Sequence, residues 1–134
     1  MKIILVSHGD FAKSLLGSAQ MIIGEQSDAV AFGLYPEDDI TQLADKLKQE
    51  IIDTDKDEKV LFVTDLFSGS PFNAVVSLMS EFELSHVTGM NLPLVLQLLL
   101  TRTSIEDPDA LIDGAIKETS QSIVNVNRFL KETM

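Results

Sequence analysis

Hydrophobic and polar positions along the chain follow two spacings in turn. Short apolar runs occur at Lys2 to Ser7, Val30 to Leu34, Lys59 to Thr64 and Leu84 to Thr88. Runs apolar throughout, such as "VLFV" at 60 to 63, predict strands buried on both faces. Between them the spacing is helical. Phe11, Leu15, Ala19 and Ile23 recur every four residues, and Gly24 supplies a stop. Ile40, Leu43, Leu47 and Ile51 form a second stripe, with Asp38 or Asp39 as N-cap, and Phe72, Val75, Val76 and Met79 mark a third. Strands alternating with helices imply right-handed crossovers, hence an α/β domain with a mainly parallel four-stranded sheet covered by helices on both faces.

Two later segments depart from this rhythm. "NLPLVLQLLLTR", 91 to 102, reads as a helix with Asn91 as cap and Pro93 in its first turn. Leu94, Val95, Leu96, Leu98, Leu99 and Leu100 leave it almost no polar face, so it needs cover on all sides. A subunit interface would provide that cover, which predicts a homodimer. The last segment starts at Pro108 and carries a stripe at Ile112, Ile116, Thr119, Ile123, Val126 and Leu130. The stripe favours one long helix, while the alternation in "SIVNVN" equally fits a short edge strand. Both readings stand at this level.

Composition narrows the class. The 134 residues suit a single domain, 1 to 134, with a real core. A net charge of −11 argues against nucleic acid or an anionic membrane surface as partner and favours a protein with a basic patch. With no cysteine there are no disulfides or thiolate metal sites, which fits a cytoplasmic address. No segment reaches the roughly 20 apolar residues that span a bilayer, and the N-terminal run is too short for a signal peptide. The acidic stretch "DTDKDEK", 53 to 59, reads as a solvated loop.

In open parallel sheets, ligands bind beyond the carboxyl ends of the strands. Polar clusters fall at three of those ends: Ser7, His8, Gly9 and Asp10; Asp65 with "LFSGSPFN"; and Gly89 with Asn91. If the first and third strands are neighbours, His8 and Asp65 meet. A carboxylate can then fix the tautomer of the ring and leave its other nitrogen free as base or nucleophile. In "SGSP", Ser68 and Gly69 make a flexible turn, Ser70 is a natural N-cap and Pro71 suits the first helical position. Exposed amides there favour a phosphoryl group, and Gly9 would let a backbone approach closely. Each feature alone has a plain structural explanation; the case rests on their convergence. His86 lies inside the fourth strand and reads as structural.

Rival chemistries fail on spacing. The lysine of a P-loop and the Rossmann glycine pattern are missing. Ser70 could complete a Ser-His-Asp set, yet its flanks, Ser68 and Phe72, are not those of a nucleophile elbow. Metal binding would need more ligands than two distant histidines and scattered acids supply, so neither metal nor other cofactor is expected.

"VSHGDFA", "DLFSGSPFN" at 65 to 73 and "GMNLPL" at 89 to 94 resemble, in order and across essentially the whole chain, the mannose-type IIA component of the bacterial phosphoenolpyruvate:sugar phosphotransferase system. The resemblance implies a phosphotransferase component, a carrier between phospho-HPr, the histidine phosphocarrier, and a IIB protein. The IIB protein would then phosphorylate sugar entering through a permease, so any membrane link is indirect. It places the phosphorylated histidine on His8, its carboxylate partner on Asp65 and the serine beside the phosphoryl group on Ser70. Gly9, Ser68 and Gly69 would line that group. The family fold is a doubly wound α/β domain, usually dimeric, with an antiparallel edge strand exchanged between subunits near the C-terminus. One departure is Ser68, where the family commonly has the first of two glycines. The chain's end at Met134 suggests that IIB is separate. The phosphotransfer subunit of dihydroxyacetone kinase shares the fold but lacks the "GSPFN" and "NLP" pattern. It ranks second, beside a small Ser/His hydrolase and a regulatory binding module.

Overall fold

Each apolar run forms a strand because only a sheet interior can hide side chains on both faces of so short a segment. A computed structural model describes residues 1–133. Its elements run β1 (Lys2–His8), α1 (Phe11–Ile23), β2 (Ala29–Leu34), α2 (Ile40–Ile52), β3 (Val60–Thr64), α3 (Ser70–Leu78), β4 (Ser85–Thr88), α4 (Leu92–Thr101), α5 (Pro108–Thr119) and α6 (Val126–Thr133). The strands are all parallel, in the order β2-β1-β3-β4. This is the doubly wound α/β arrangement that the pattern predicts.

Period-two alternation divides the core into two layers. Ile3, Leu5, Leu61 and Val63 face α1, α4 and α5; Ile4, Val6, Val60 and Phe62 face α2 and α3. Each fully buried side chain of this size contributes about 1.5–3 kcal/mol relative to exposure. The helices start where expected: Asp39 accepts from Thr41 N–H within a reciprocal capping box on α2, and Asn91 accepts from Leu94 N–H on α4.

Two expectations change. The nearly all-apolar α4 is covered mostly within the chain, because α5 packs beside it and α1 on its other flank. Leu94, Val95, Leu98 and Leu99 are thereby buried, and Leu100 alone among the leucines from 94 to 100 is exposed. Burial of α4 therefore does not require a second subunit. The C-terminal segment is neither one long helix nor a strand. α5 stops at Thr119, the chain turns through 120 to 125, and Asn125 restarts a helix by accepting from Arg128 N–H at 3.3 Å. The serines at 120 and 122 favour turn over helix. The alternation in "SIVNVN" finds no strand to pair with among the described residues. α6 has no buried residue, and Val126, Phe129 and Leu130 stand about half exposed.

Candidate functional site

β1 and β3 are neighbours whose following connections pass over opposite faces of the sheet, through α1 and through α3, leaving a crevice at their carboxyl ends. His8 is the last residue of β1 and Asp65 follows directly after β3, so both sit at the mouth of this crevice. They bond twice through one oxygen. Asp65 Oδ2 accepts from the backbone N–H of His8 at 2.9 Å and lies 2.7 Å from Nδ1 of the ring. A carboxylate accepts, so Nδ1 carries the proton and Nε2 keeps its lone pair. The His8 side chain is 52% exposed, so Nε2 is open to another molecule, while the Asp65 side chain is only 11% exposed. Asp65 Oδ1 is buried without a hydrogen-bond partner among the described residues.

The segment after Asp65 folds back over the ring. Gly69 N–H donates to Leu66 O at 3.0 Å, closing a tight turn in which Ser68 has φ +65°. A turn with positive φ at its third position normally takes glycine or asparagine. Ser68 is held there with its carbonyl accepting from the Asn73 side-chain amide at 3.3 Å. A side chain in this left-handed region carries local strain of about 1–2 kcal/mol by the usual penalty. At Gly69 a side chain would meet the His8 ring: a Cβ would lie 3.1 Å from Cε1 and 3.2 Å from Leu66 O. Glycine therefore lets α3 begin directly beside the histidine.

Gly69, not Ser70, is the N-cap of α3; Ser70 is its first helical residue, and Pro71 has no amide hydrogen to leave unpaired. The Ser70 side chain is exposed and forms no hydrogen bond to His8 or to any other described residue. Gly9 follows His8 with φ +54°, and its N–H donates to Leu34 O at 2.7 Å. The structure thus gathers His8, Gly9, Asp65 and Gly69 around one ring, with Ser68 and Ser70 on the adjoining turn. Among the described residues no group of three or more potential ligands could hold a metal ion.

Several contributors escape a sequence reading. Ser7 Oγ accepts from Ala12 N–H at 2.7 Å and so caps α1, although Asp10 occupies its N-cap position. Asp10 instead accepts from the Tyr35 hydroxyl, which in turn accepts from Lys13 Nζ at 3.1 Å. That hydrogen bond holds the Lys13 pKa above its ordinary value. Phe11, at the start of α1, and Leu66 and Phe67, on the turn after β3, are 48–72% exposed.

His86 is structural, as its place inside β4 suggests. Its Nε2 lies 2.8 Å from Thr64 Oγ1, which donates to Thr88 Oγ1 at 2.8 Å, and its ring lies against Phe72 with centroids 5.0 Å apart. The chain of hydrogen bonds secures Thr64, the residue before Asp65. Burial pushes the His86 pKa down to about 4. The unfolded chain therefore takes up this proton first, and stability falls as pH drops from about 6.5 towards about 4. Discounted for partial exposure, the loss amounts to roughly 1–2 kcal/mol. His86→Gln keeps an amide donor for Thr64 but does not titrate. Its melting temperature is expected to decline less than that of the parent over this interval; equal declines would contradict the assignment.

The chain was compared with known proteins. A family model described as "PTS system fructose IIA component" matches residues 2–116. The chain is 33% identical over 127 residues to a fructose-specific EIIA component of Bacillus subtilis, covering 94% of this chain and 86% of that protein. It is 29% identical to the mannose-specific EIIAB component of Escherichia coli, of which it spans 38% of the length. Among solved structures, a phosphotransferase system EIIA component from Streptococcus agalactiae superposes with a TM-score of 0.87 at 31% identity, covering 95% of this chain and 98% of that one. A mannose/sorbose-specific IIA subunit from Enterococcus faecalis gives 0.84 at 28% identity, covering 92% of each.

Proposed function

The chain belongs to the mannose-type IIA family of the phosphoenolpyruvate:sugar phosphotransferase system, and on that footing we propose that it is a phosphocarrier working through His8. It accepts a phosphoryl group from phospho-HPr and delivers it to a IIB component for sugar uptake. The observation that carries this reading is the 2.7 Å contact between His8 Nδ1 and Asp65 Oδ2, which leaves Nε2 outward and nucleophilic.

In the transfer, the Nε2 lone pair attacks phosphorus in line while the bond from phosphorus to the donor imidazole breaks. The donor nitrogen keeps the bonding electrons. The His8 ring becomes more cationic as it gains the phosphoryl group, and its Nδ1 proton stays in the bond to Asp65, whose charge stabilises the product. Ser68, Gly69 and Ser70 present the start of α3 to the phosphoryl oxygens, where amides without intrahelical acceptors and the Ser70 hydroxyl can donate. Gly9 closes the opposite side. Delivery to IIB reverses the step. Phe11, Leu66 and Phe67 form an apolar rim on which a partner protein can exclude water from the transfer.

The experiment is incubation with phosphoenolpyruvate, enzyme I and HPr, followed by intact mass. A gain of about 80 Da, acid-labile and missing in His8→Ala, is expected. No gain in the parent would overturn the proposal. Nothing favours a Ser/His hydrolase, since Ser70 forms no hydrogen bond with His8.

The partner for the C-terminal segment is, in this reading, a second copy of the chain. An amphipathic helix whose apolar residues all lie exposed is unstable by itself at eight residues. Sedimentation is expected to show a dimer that dissociates when residues 120 to 134 are deleted; a monomeric parent would refute it.

A further inference from the structure

Asp10 occupies the N-cap position of α1, where an aspartate ordinarily turns back to accept from the first amides of the helix. It makes no such bond here. Ser7 Oγ has taken the Ala12 amide, and the Asp10 carboxylate is drawn sideways to the Tyr35 hydroxyl. Lys13 completes the arrangement: its Nζ donates to the Tyr35 oxygen at 3.1 Å and lies 5.2 Å from the centre of the ring. Tyr35 is itself fixed by the turn after β2. Its N–H donates to Asp38 Oδ2 at 2.8 Å, and its carbonyl accepts from Asp38 N–H at 2.9 Å.

This arrangement matters because Asp10 lies two residues beyond His8, on the same turn. A free carboxylate there is a like charge beside a group that must carry a phosphoryl dianion. We propose that Tyr35, anchored by Lys13, is a positioning residue for phosphoryl transfer: its hydroxyl holds the Asp10 carboxylate away from His8. The role rests on the phosphocarrier reading of His8. Among the described residues Tyr35 forms no hydrogen bond with His8, and its effect runs through Asp10.

Tyr35→Phe removes the hydroxyl and frees the carboxylate while keeping the ring. The rate of transfer from phospho-HPr, followed by quenching and intact mass, is expected to fall about tenfold in kcat with KM within about twofold, the scale of one like-charge repulsion near the surface. The double variant Tyr35→Phe, Asp10→Ala has no carboxylate to misplace and is expected to recover to within about threefold of the parent. A merely structural tyrosine would give no such rescue. A Tyr35→Phe rate equal to the parent, or a double variant as slow as Tyr35→Phe, overturns the proposal. If the parent takes up no phosphoryl group, the carrier reading itself has failed, and that is seen before any variant is compared. Should Tyr35→Phe not fold, Lys13→Met takes its place; loss of the cation that anchors the Tyr35 hydroxyl is expected to slow transfer about threefold, with the same rescue by Asp10→Ala.

Discussion

Replacement of Asp65 by asparagine is expected to slow phosphorylation of His8 by roughly 10²–10³, equivalent to about 3–4 kcal/mol of transition-state stabilisation. The amide oxygen can still accept from Nδ1 and from the His8 backbone, so the ring keeps its place. What disappears is the negative charge that opposes the growing cationic character of the imidazole. The charge is effective because it is close and poorly screened: both bonds to His8 use Oδ2, at 2.9 and 2.7 Å, and the Asp65 side chain is largely buried. Two measurements check this, the single-turnover rate from phospho-HPr and thermal unfolding. A rate within threefold of the parent would show that Asp65 merely anchors the end of β1. A large loss of melting temperature would show that the slow rate comes from a damaged fold.

Gly33→Ala is expected to destabilise the protein by roughly 2–3 kcal/mol, the range of overpacking in a rigid interior, and to lower the melting temperature by on the order of 10 °C. A Cβ at this position would stand 2.2 Å from Gly9 O and 3.1 Å from both Gly9 C and Tyr35 Cε2. The first is backbone, so no side-chain rotation relieves the collision. Either β2 must move away from β1, at a point where Ser7 pairs with Gly33 and His8 with Leu34, or the turn after His8 must shift. The second route displaces the reacting ring, so phosphorylation should fall together with stability. Gly17→Ala provides the contrast. It lies within α1 with open space around its would-be Cβ and is expected to stabilise by about 0.5–1 kcal/mol. Equal melting temperatures for Gly33→Ala and the parent would mean that the close approach of β2 to the His8 turn is not a constraint.

The strands and most helices were legible because their cause is local. A short apolar run rich in branched residues and bounded by polar ones, such as "VLFV", suits the interior of a sheet, and a four-residue repeat such as Phe11, Leu15, Ala19 and Ile23 suits one side of a helix. His8 and Asp65 were legible as a pair for a related reason. Alternating strands and helices make a parallel sheet, and a parallel sheet puts strand ends together. The cover on α4 was not legible, since nothing in "LPLVLQLLL" says whether α5 or another subunit lies against it. The C-terminal segment was harder still, because its stripe and its alternation are both real and the choice depends on what surface it meets.

The sequence by itself therefore determined the four strands, the helices up to α4, their parallel order of connection and the residues able to meet at the crevice. Those properties follow from short-range periodicity and from the few ways right-handed crossovers can close. Only the tertiary structure decided that Asp65 also takes the His8 backbone amide, that Gly69 rather than Ser70 caps α3, that Ser68 takes a left-handed conformation, and that Asp10 turns to Tyr35 instead of capping its own helix. Each of these is a competition among partners brought together from distant parts of the chain. Tyr35 lies 25 residues from Asp10, and Asp65 lies 57 from His8. Local propensity ranks what a side chain would do alone; a hydrogen bond goes to the partner that the packed core has already put within reach.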